Sequence, residues 1–184
     1  MNIVFDWSGT LADDHMITWD ITNQVLENFG SAAIAFDTYQ KEFVIPVDKF
    51  YSKYCPNVSI EKIDEYFFEN YISYGKKYQL FKGIPELIAT LNTNNTLYIL
   101  STLDSKILNE HSKETGISTY FKKIIGNASN KIKALEMLLS DEKLIPSETI
   151  FIGDMPHDID SAKKLKVQSG GVTYGYSKPE TIIS

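Results

Sequence analysis

The sequence predicts an α/β fold, an open parallel sheet carrying an inserted small α-helical cap subdomain. Three observations carry this prediction. Short apolar runs stop abruptly at polar residues, and helical patterns with their own start and stop signals lie between them. The interval from the first run to the second is also too long and too aromatic to be one crossover.

The first strand is Ile3-Val4-Phe5, which ends at Asp6. A helix bearing Ile17, Ile21, Val25 and Phe29 follows and is closed by Gly30. Segment 31–82 is then dense in rings: Phe36, Tyr39, Phe43, Phe50, Tyr51, Tyr54, Tyr66, Phe67, Phe68, Tyr71, Tyr74 and Tyr78. Ile63, Phe67, Tyr71 and Tyr74 keep helical spacing, so the stripe is expected to form the core and docking surface of a helical insertion. Pro85 opens the next helix, with Ile84, Leu87, Ile88 and Leu91 as its apolar stripe. Leu97-Tyr98-Ile99-Leu100 is a strand ending at Ser101. Asp104 can cap a helix holding Ile107 and Leu108 that stops by Gly116. Lys123-Ile124-Ile125 is a weaker strand, and Asn130 or Ser129 can cap a helix carrying Leu135, Leu138 and Leu139. The last strands are Thr149-Ile150-Phe151-Ile152, ending at Gly153-Asp154, and Gly171-Val172-Thr173-Tyr174, entered through Gly170-Gly171. Residues 1–14 and 83–184 are thus the expected core, and 15–82 the expected cap subdomain.

Composition narrows the function classes. No apolar run approaches the ~20 residues a membrane helix needs, and Met1 to Phe5 lacks the basic start of a secretory signal. Neither a membrane partner nor a targeting segment is expected, and the expected compartment is the cytoplasm. The single cysteine, Cys55, excludes an internal disulfide or a multi-thiolate metal site and is expected to be buried or inert. All 18 basic residues are lysines, so any anion must be held by ammonium groups, hydroxyls and backbone N–H rather than by guanidinium forks. Segment 31–82 balances seven lysines with seven acids, which leaves the rest of the chain to supply the whole net charge of −6. A domain of that sign without a basic stripe argues against nucleic-acid binding.

Ligands of open parallel sheets bind beyond the carboxyl ends of the strands. Those ends carry Asp6 to Thr10, Ser101-Thr102, and Gly153-Asp154 with Asp158, and Lys131 begins a nearby helix. Carboxylates, hydroxyls and an ammonium together suit a hard dication and a phosphate, and Mg2+ fits the set.

The ordered set Asp6-Trp7-Ser8-Gly9-Thr10-Leu11, Ser101, Lys131 in Asn130-Lys131-Ile132-Lys133, and Gly153-Asp154-Met155-Pro156-His157-Asp158 resembles the four motifs of the haloacid dehalogenase-like (HAD) superfamily. Within it, the chain is similar to the phosphoglycolate phosphatase-like branch with a helical cap. The resemblance implies a Rossmann-like core and hydrolysis of a small phosphorylated metabolite. It implies Asp6 as the nucleophile that becomes an aspartyl-phosphate. It also implies Mg2+ held by Asp6, the backbone carbonyl of Ser8 and Asp154. Ser101, the N–H of Thr102 and Lys131 would bind the phosphoryl oxygens, with Thr10 and Asp158 supporting. Bland readings stand beside these roles: Asp6 capping its turn, Asp154 and Asp158 capping a helix from Asp158 to Leu165, Ser101 starting a helix, and Lys133 in place of Lys131.

Ser8 departs from the family pattern, whose second aspartate protonates the leaving oxygen. A hydroxyl has no useful acidity near neutrality, and losing general acid–base catalysis costs about 10²–10⁴-fold. Phosphonatases also lack that aspartate and have a similar first motif, with a cap lysine forming an imine; Lys41, Lys49 and Lys53 are the nearest candidates here. A non-catalytic phosphate-binding or regulatory protein is the remaining alternative. His157 is a candidate proton shuttle, Asp13 and Asp14 could restore acid–base function, and His15 and His111 are expected at the surface.

Overall fold

The structure is a computed structural model describing residues 1–73 and 79–183. Tyr74 and Tyr78 of the aromatic segment lie outside the described residues. The chain divides into two compact units, Met1–Asp13 with Tyr78–Ser184, and Asp14–Lys77.

The Asp14–Lys77 unit contains the helices α1 (His15–Asn28), α2 (Phe36–Glu42), α3 (Asp48–Tyr54) and α4 (Ile60–Ser73). Ile17, Ile21 and Val25 are buried along α1, and Gly30 at φ +85° supplies the left-handed turn that ends it. α1 packs on α4, which buries Ile63 and Tyr71 and stacks Phe67 on Tyr71 at 5.7 Å. Tyr39, Phe43, Phe50 and Tyr54 of the α2–α3 region form a ring cluster, edge-to-face for Tyr39–Phe50 and Phe43–Phe50 and tilted for Tyr39–Phe43 and Phe50–Tyr54. Cys55 is buried, and burial pushes its thiol up, away from the reactive thiolate.

The other unit is a five-stranded parallel sheet, β1 (Asn2–Phe5), β2 (Thr96–Leu100), β3 (Phe121–Ile125), β4 (Thr149–Gly153) and β5 (Gln168–Gly171), ordered β3-β2-β1-β4-β5. Its helices are α5 (Ile84–Leu91), α6 (Ser105–Glu114), α7 (Lys131–Asp141), α8 (Pro156–Lys164) and α9 (Pro179–Ile183). β1 is central, which is why Ile3, Val4 and Phe5 are all apolar and buried. Val4, Tyr98, Leu100 and Phe151 pack with Leu135, Leu138 and Ala162 of α7 and α8. Asp104 caps α6 by accepting from Lys106 N and Ile107 N, and Asn130 rather than Ser129 caps α7 by accepting from Lys133 N.

Four expectations need correction. The last strand lies at Gln168–Gly171, not Gly171–Tyr174, so Gly170-Gly171 closes it rather than opening it. An edge strand needs no apolar alternation, and the two glycines admit close packing instead: a Cβ on Gly171 would overlap the Ile182 side chain. The apolar Val172-Thr173-Tyr174 runs out of the sheet once Val172 N has donated to Gly153 O. His111 is buried, because on α6 it falls on the face of Ile107 and Leu108, and His15 is half-buried beside Phe36. Leu87 is 46% exposed, since Ile84 and Ile88 alone of the α5 stripe are buried. Residues 79–81, assigned from sequence to the cap, are fastened to the sheet unit. Asp13 N donates to Gln79 O, Leu80 bridges Ala12, and Phe81 N donates to Leu11 O.

Candidate active site

Three carboxylates and one ammonium converge at the carboxyl ends of the central strands. Asp6 directly follows β1 and continues its ladder, its N–H donating to Ile152 O at 2.8 Å. The chain then turns tightly: the N–H groups of Thr10, Leu11 and Ala12 all donate to Trp7 O, and Gly9 takes φ +72°. Only glycine serves there, because a Cβ would also strike Asp154 and Tyr176. Asp154 directly follows β4, and Asp158 stands in the first turn of α8. Lys131, the first residue of α7, is 3% exposed, whereas Lys133 faces solvent.

Lys131 Nζ lies 2.9 Å from Asp6 Oδ2 and 2.6 Å from Asp158 Oδ1. Trp7 N donates to Asp6 Oδ1 at 2.7 Å, and Met155 N to Asp158 Oδ2 at 3.1 Å. Asp158 therefore closes the start of α8 and holds Lys131 at once, so its capping and site readings are one arrangement; the helix begins at Pro156, not at Asp158. Thr10 Oγ1 donates to Asp154 Oδ1 at 3.1 Å and Tyr176 N to Asp154 Oδ2 at 2.7 Å. Ligand oxygens of Asp6, Asp154 and Asp158 all lie within 4.8 Å of one another, and all three residues are buried.

Burial pushes the Asp6 carboxyl up to about 7, with Lys131 opposing and Asp158 adding to the shift. Burial also holds Asp154 well above the usual carboxylate range, reinforced by Asp6 and Asp158. For Lys131, burial alone would lower the ammonium; Asp158 and Asp6 outweigh it and raise it. Lys131 thus serves Asp6 and Asp158, while Asp154 accepts from the neutral Thr10 hydroxyl and Tyr176 N–H. Three carboxylates facing one ammonium leave excess negative charge in a buried space, and an oxygen-lined site of that charge fits a divalent cation.

Ser101, 1% exposed, follows β2 beside β1; its hydroxyl accepts from Leu103 N at 3.2 Å. Thr102 beside it is half-buried, as is Ser8 in the turn after Asp6. His157 Nε2 lies 3.4 Å from Asp158 Oδ1, and burial, with help from Lys131, holds its imidazole down at about 4. In the helical unit, Lys41 pairs with Asp37 at 2.6 Å and Lys53 with Glu42, and both ammonium groups are raised by these hydrogen bonds. An imine-forming amine needs the opposite shift.

Sequence reasoning passed over the segment Tyr174-Gly175-Tyr176, which supplies a backbone donor to Asp154. Its signal was a glycine between two tyrosines after the last apolar run, and that run was read as strand instead.

A family model described as haloacid dehalogenase-like hydrolase matches residues 3–172. The phosphoglycolate phosphatase of Vibrio vulnificus (strain YJ016) is 30% identical over 109 residues, covering 56% of this chain and 48% of that protein. A 5'-nucleotidase of Pseudomonas aeruginosa is 28% identical over 110 residues, covering 56% and 50%. The chain spans about half the length of these curated relatives. Among solved structures, a haloacid dehalogenase-like family protein of Streptococcus pneumoniae superposes with TM-score 0.83 at 24% identity, covering 99% of this chain and 89% of that one. CbbY of Rhodobacter sphaeroides, solved with phosphate, gives TM-score 0.82 at 15% identity, covering 98% and 89%. The family match takes in Asp6, Lys131, Asp154 and Asp158 together, and on its extent the chain belongs to the haloacid dehalogenase-like hydrolase family.

Proposed function

We propose that this chain is a cytoplasmic, magnesium-dependent phosphatase of the phosphoglycolate phosphatase-like group, acting on a small phosphorylated metabolite. The observation that carries the reading is the buried cluster of Asp6, Asp154 and Asp158 around one lysine. Asp6, the backbone carbonyl of Ser8 and Asp154 would hold Mg2+, which when bound offsets the repulsion between a carboxylate and a phosphate dianion. The Asp6 carboxylate attacks phosphorus, the leaving oxygen takes the bonding pair, and water then cleaves the aspartyl-phosphate to return phosphate and Asp6. Lys131 neutralises charge on the transferring group and is held for that task by Asp158. Ser101 and Thr102 N–H donate to the phosphoryl oxygens, and Thr10 fixes Asp154. Choice of substrate falls to the helices α1 to α4.

Ser8 supplies no proton to the leaving group. Turnover is therefore expected to be faster for aryl or acyl phosphates, whose leaving groups depart unprotonated, than for alkyl phosphates. Hydrolysis of p-nitrophenyl phosphate with and without Mg2+, by wild type and Asp6→Asn, tests the reading. Magnesium-dependent turnover lost in Asp6→Asn supports it; equal rates in the two proteins, or none in wild type with any divalent ion, overturn it.

A further inference from the structure

Asp154 is gripped from one short stretch of chain that the catalytic roles above do not use. Tyr176 N donates directly to Asp154 Oδ2 at 2.7 Å. Two residues earlier, Tyr174 Oη donates to Thr10 O at 3.0 Å, and Thr10 Oγ1 in turn donates to Asp154 Oδ1 at 3.1 Å. Between them, Gly175 leaves no room for a side chain: a Cβ would overlap Asp154 and Gly9 O. The Tyr174 ring is fixed from its other side by Phe81, with centroids 4.5 Å apart, and Phe81 N donates to Leu11 O at 3.0 Å. Both oxygens of one buried carboxylate are thus oriented through residues 174–176, one directly and one by way of Thr10.

We infer that Tyr174 is a positioning residue for cation binding at Asp154, acting through Thr10. The inference rests on the metal-dependent reading of the site. Tyr174 is 47% exposed, so its hydroxyl adds little to the stability of the fold, and its bond to a backbone carbonyl of the nucleophile turn needs another purpose. An oriented carboxylate presents its remaining lone pairs in a fixed direction. That matters most for Mg2+, which demands near-ideal octahedral geometry, and less for the more permissive Ca2+. Loss of an outer partner of a metal ligand typically costs 10–100-fold in affinity.

The test measures cation binding directly. Mn2+ binding is followed by loss of the free-ion paramagnetic resonance signal, with Mg2+ and Ca2+ as competitors, for wild type, Tyr174→Phe, Thr10→Val and the double variant. Tyr174→Phe keeps the ring on Phe81 and removes only the hydroxyl. It is expected to weaken Mg2+ binding about 10-fold and Ca2+ binding less, with the metal-free melting temperature moving by no more than about 2 °C. In the Thr10→Val background, Tyr174→Phe is expected to have no further effect, because the route through the Thr10 hydroxyl is already cut. Unchanged Mg2+ affinity in Tyr174→Phe, an equal loss for Mg2+ and Ca2+, or full additivity with Thr10→Val overturns the inference. Wild type that binds none of the three ions overturns instead the metal-dependent reading beneath it.

Discussion

Lys131 stands nearer to Asp158, at 2.6 Å, than to Asp6, at 2.9 Å, and none of the three is more than 5% exposed. Asp158 is itself anchored by Met155 N, so the ammonium is held by a fixed carboxylate and reaches Asp6 from there. Breaking such a group is costly, because the surviving charges stay buried.

Lys131→Met is therefore expected to lose about 3–5 kcal/mol of stability at pH 8. Without the ammonium, burial pushes the Asp6 carboxyl further up with nothing of Lys131 left to oppose it, and a raised folded-state pKa contributes stability at low pH that is lost as pH rises. The deficit should be smaller at pH 5 than at pH 8 in urea unfolding with metal chelated. A deficit independent of pH would contradict this account of the pair.

Histidine 111 sets a second pH dependence, away from the site. Burial holds its imidazole at about 4, against 6.5 for the free group. The unfolded chain takes up a proton below about 6.5 that the folded chain refuses until about 4. Stability from this group is thus present above 6.5 and declines as pH falls, by at most about 1.4 kcal/mol per pH unit. His111→Gln should flatten urea-unfolding free energies between pH 6.5 and 4.5; an unchanged slope would refute it.

Ser8→Asp should raise turnover of alkyl phosphates by about 10²–10⁴-fold and that of p-nitrophenyl phosphate far less. Steady-state rates on the two substrates decide it. An unimproved alkyl rate would favour a dedicated phosphate binder, since the site would then lack more than its acid.

Gly9→Ala places a methyl against Asp154 and Tyr176 at a φ of +72°. A destabilisation of about 1–3 kcal/mol from the backbone alone is expected, together with loss of activity, by urea unfolding and phosphatase assay. A stable, active Gly9→Ala protein would show that the turn can move.

The buried strands were readable because a central parallel strand must be apolar on both faces, as Ile3-Val4-Phe5 and Leu97 to Leu100 are. The caps Asp104 and Asn130 were readable because each acts within its own first turn. β5 was not, since Gln168 to Gly171 is held by its edge position and glycine contacts, while Val172-Thr173-Tyr174 mimics a strand without joining one. The ordered motifs named Asp6, Lys131, Asp154 and Asp158. The hold of Tyr176 on Asp154 is a backbone bond, marked in the sequence only by the neighbouring Gly175 that the close packing requires. His111 was misplaced because a polar residue was assumed to face water, although Ile107 and Leu108 set that face of α6.

Because β1 is the middle strand, Asp6 stands between two strands encoded well after it, β2 at Thr96–Leu100 and β4 at Thr149–Gly153, and its ion-pair partner Lys131 comes later than β2. A growing chain has β2 beside β1 before it has Lys131 or β4, so the cluster around Asp6 closes only once Asp158 has been added. Until Asp158 is in place the group of three carboxylates and one ammonium is incomplete, and the proposed chemistry would wait on that residue.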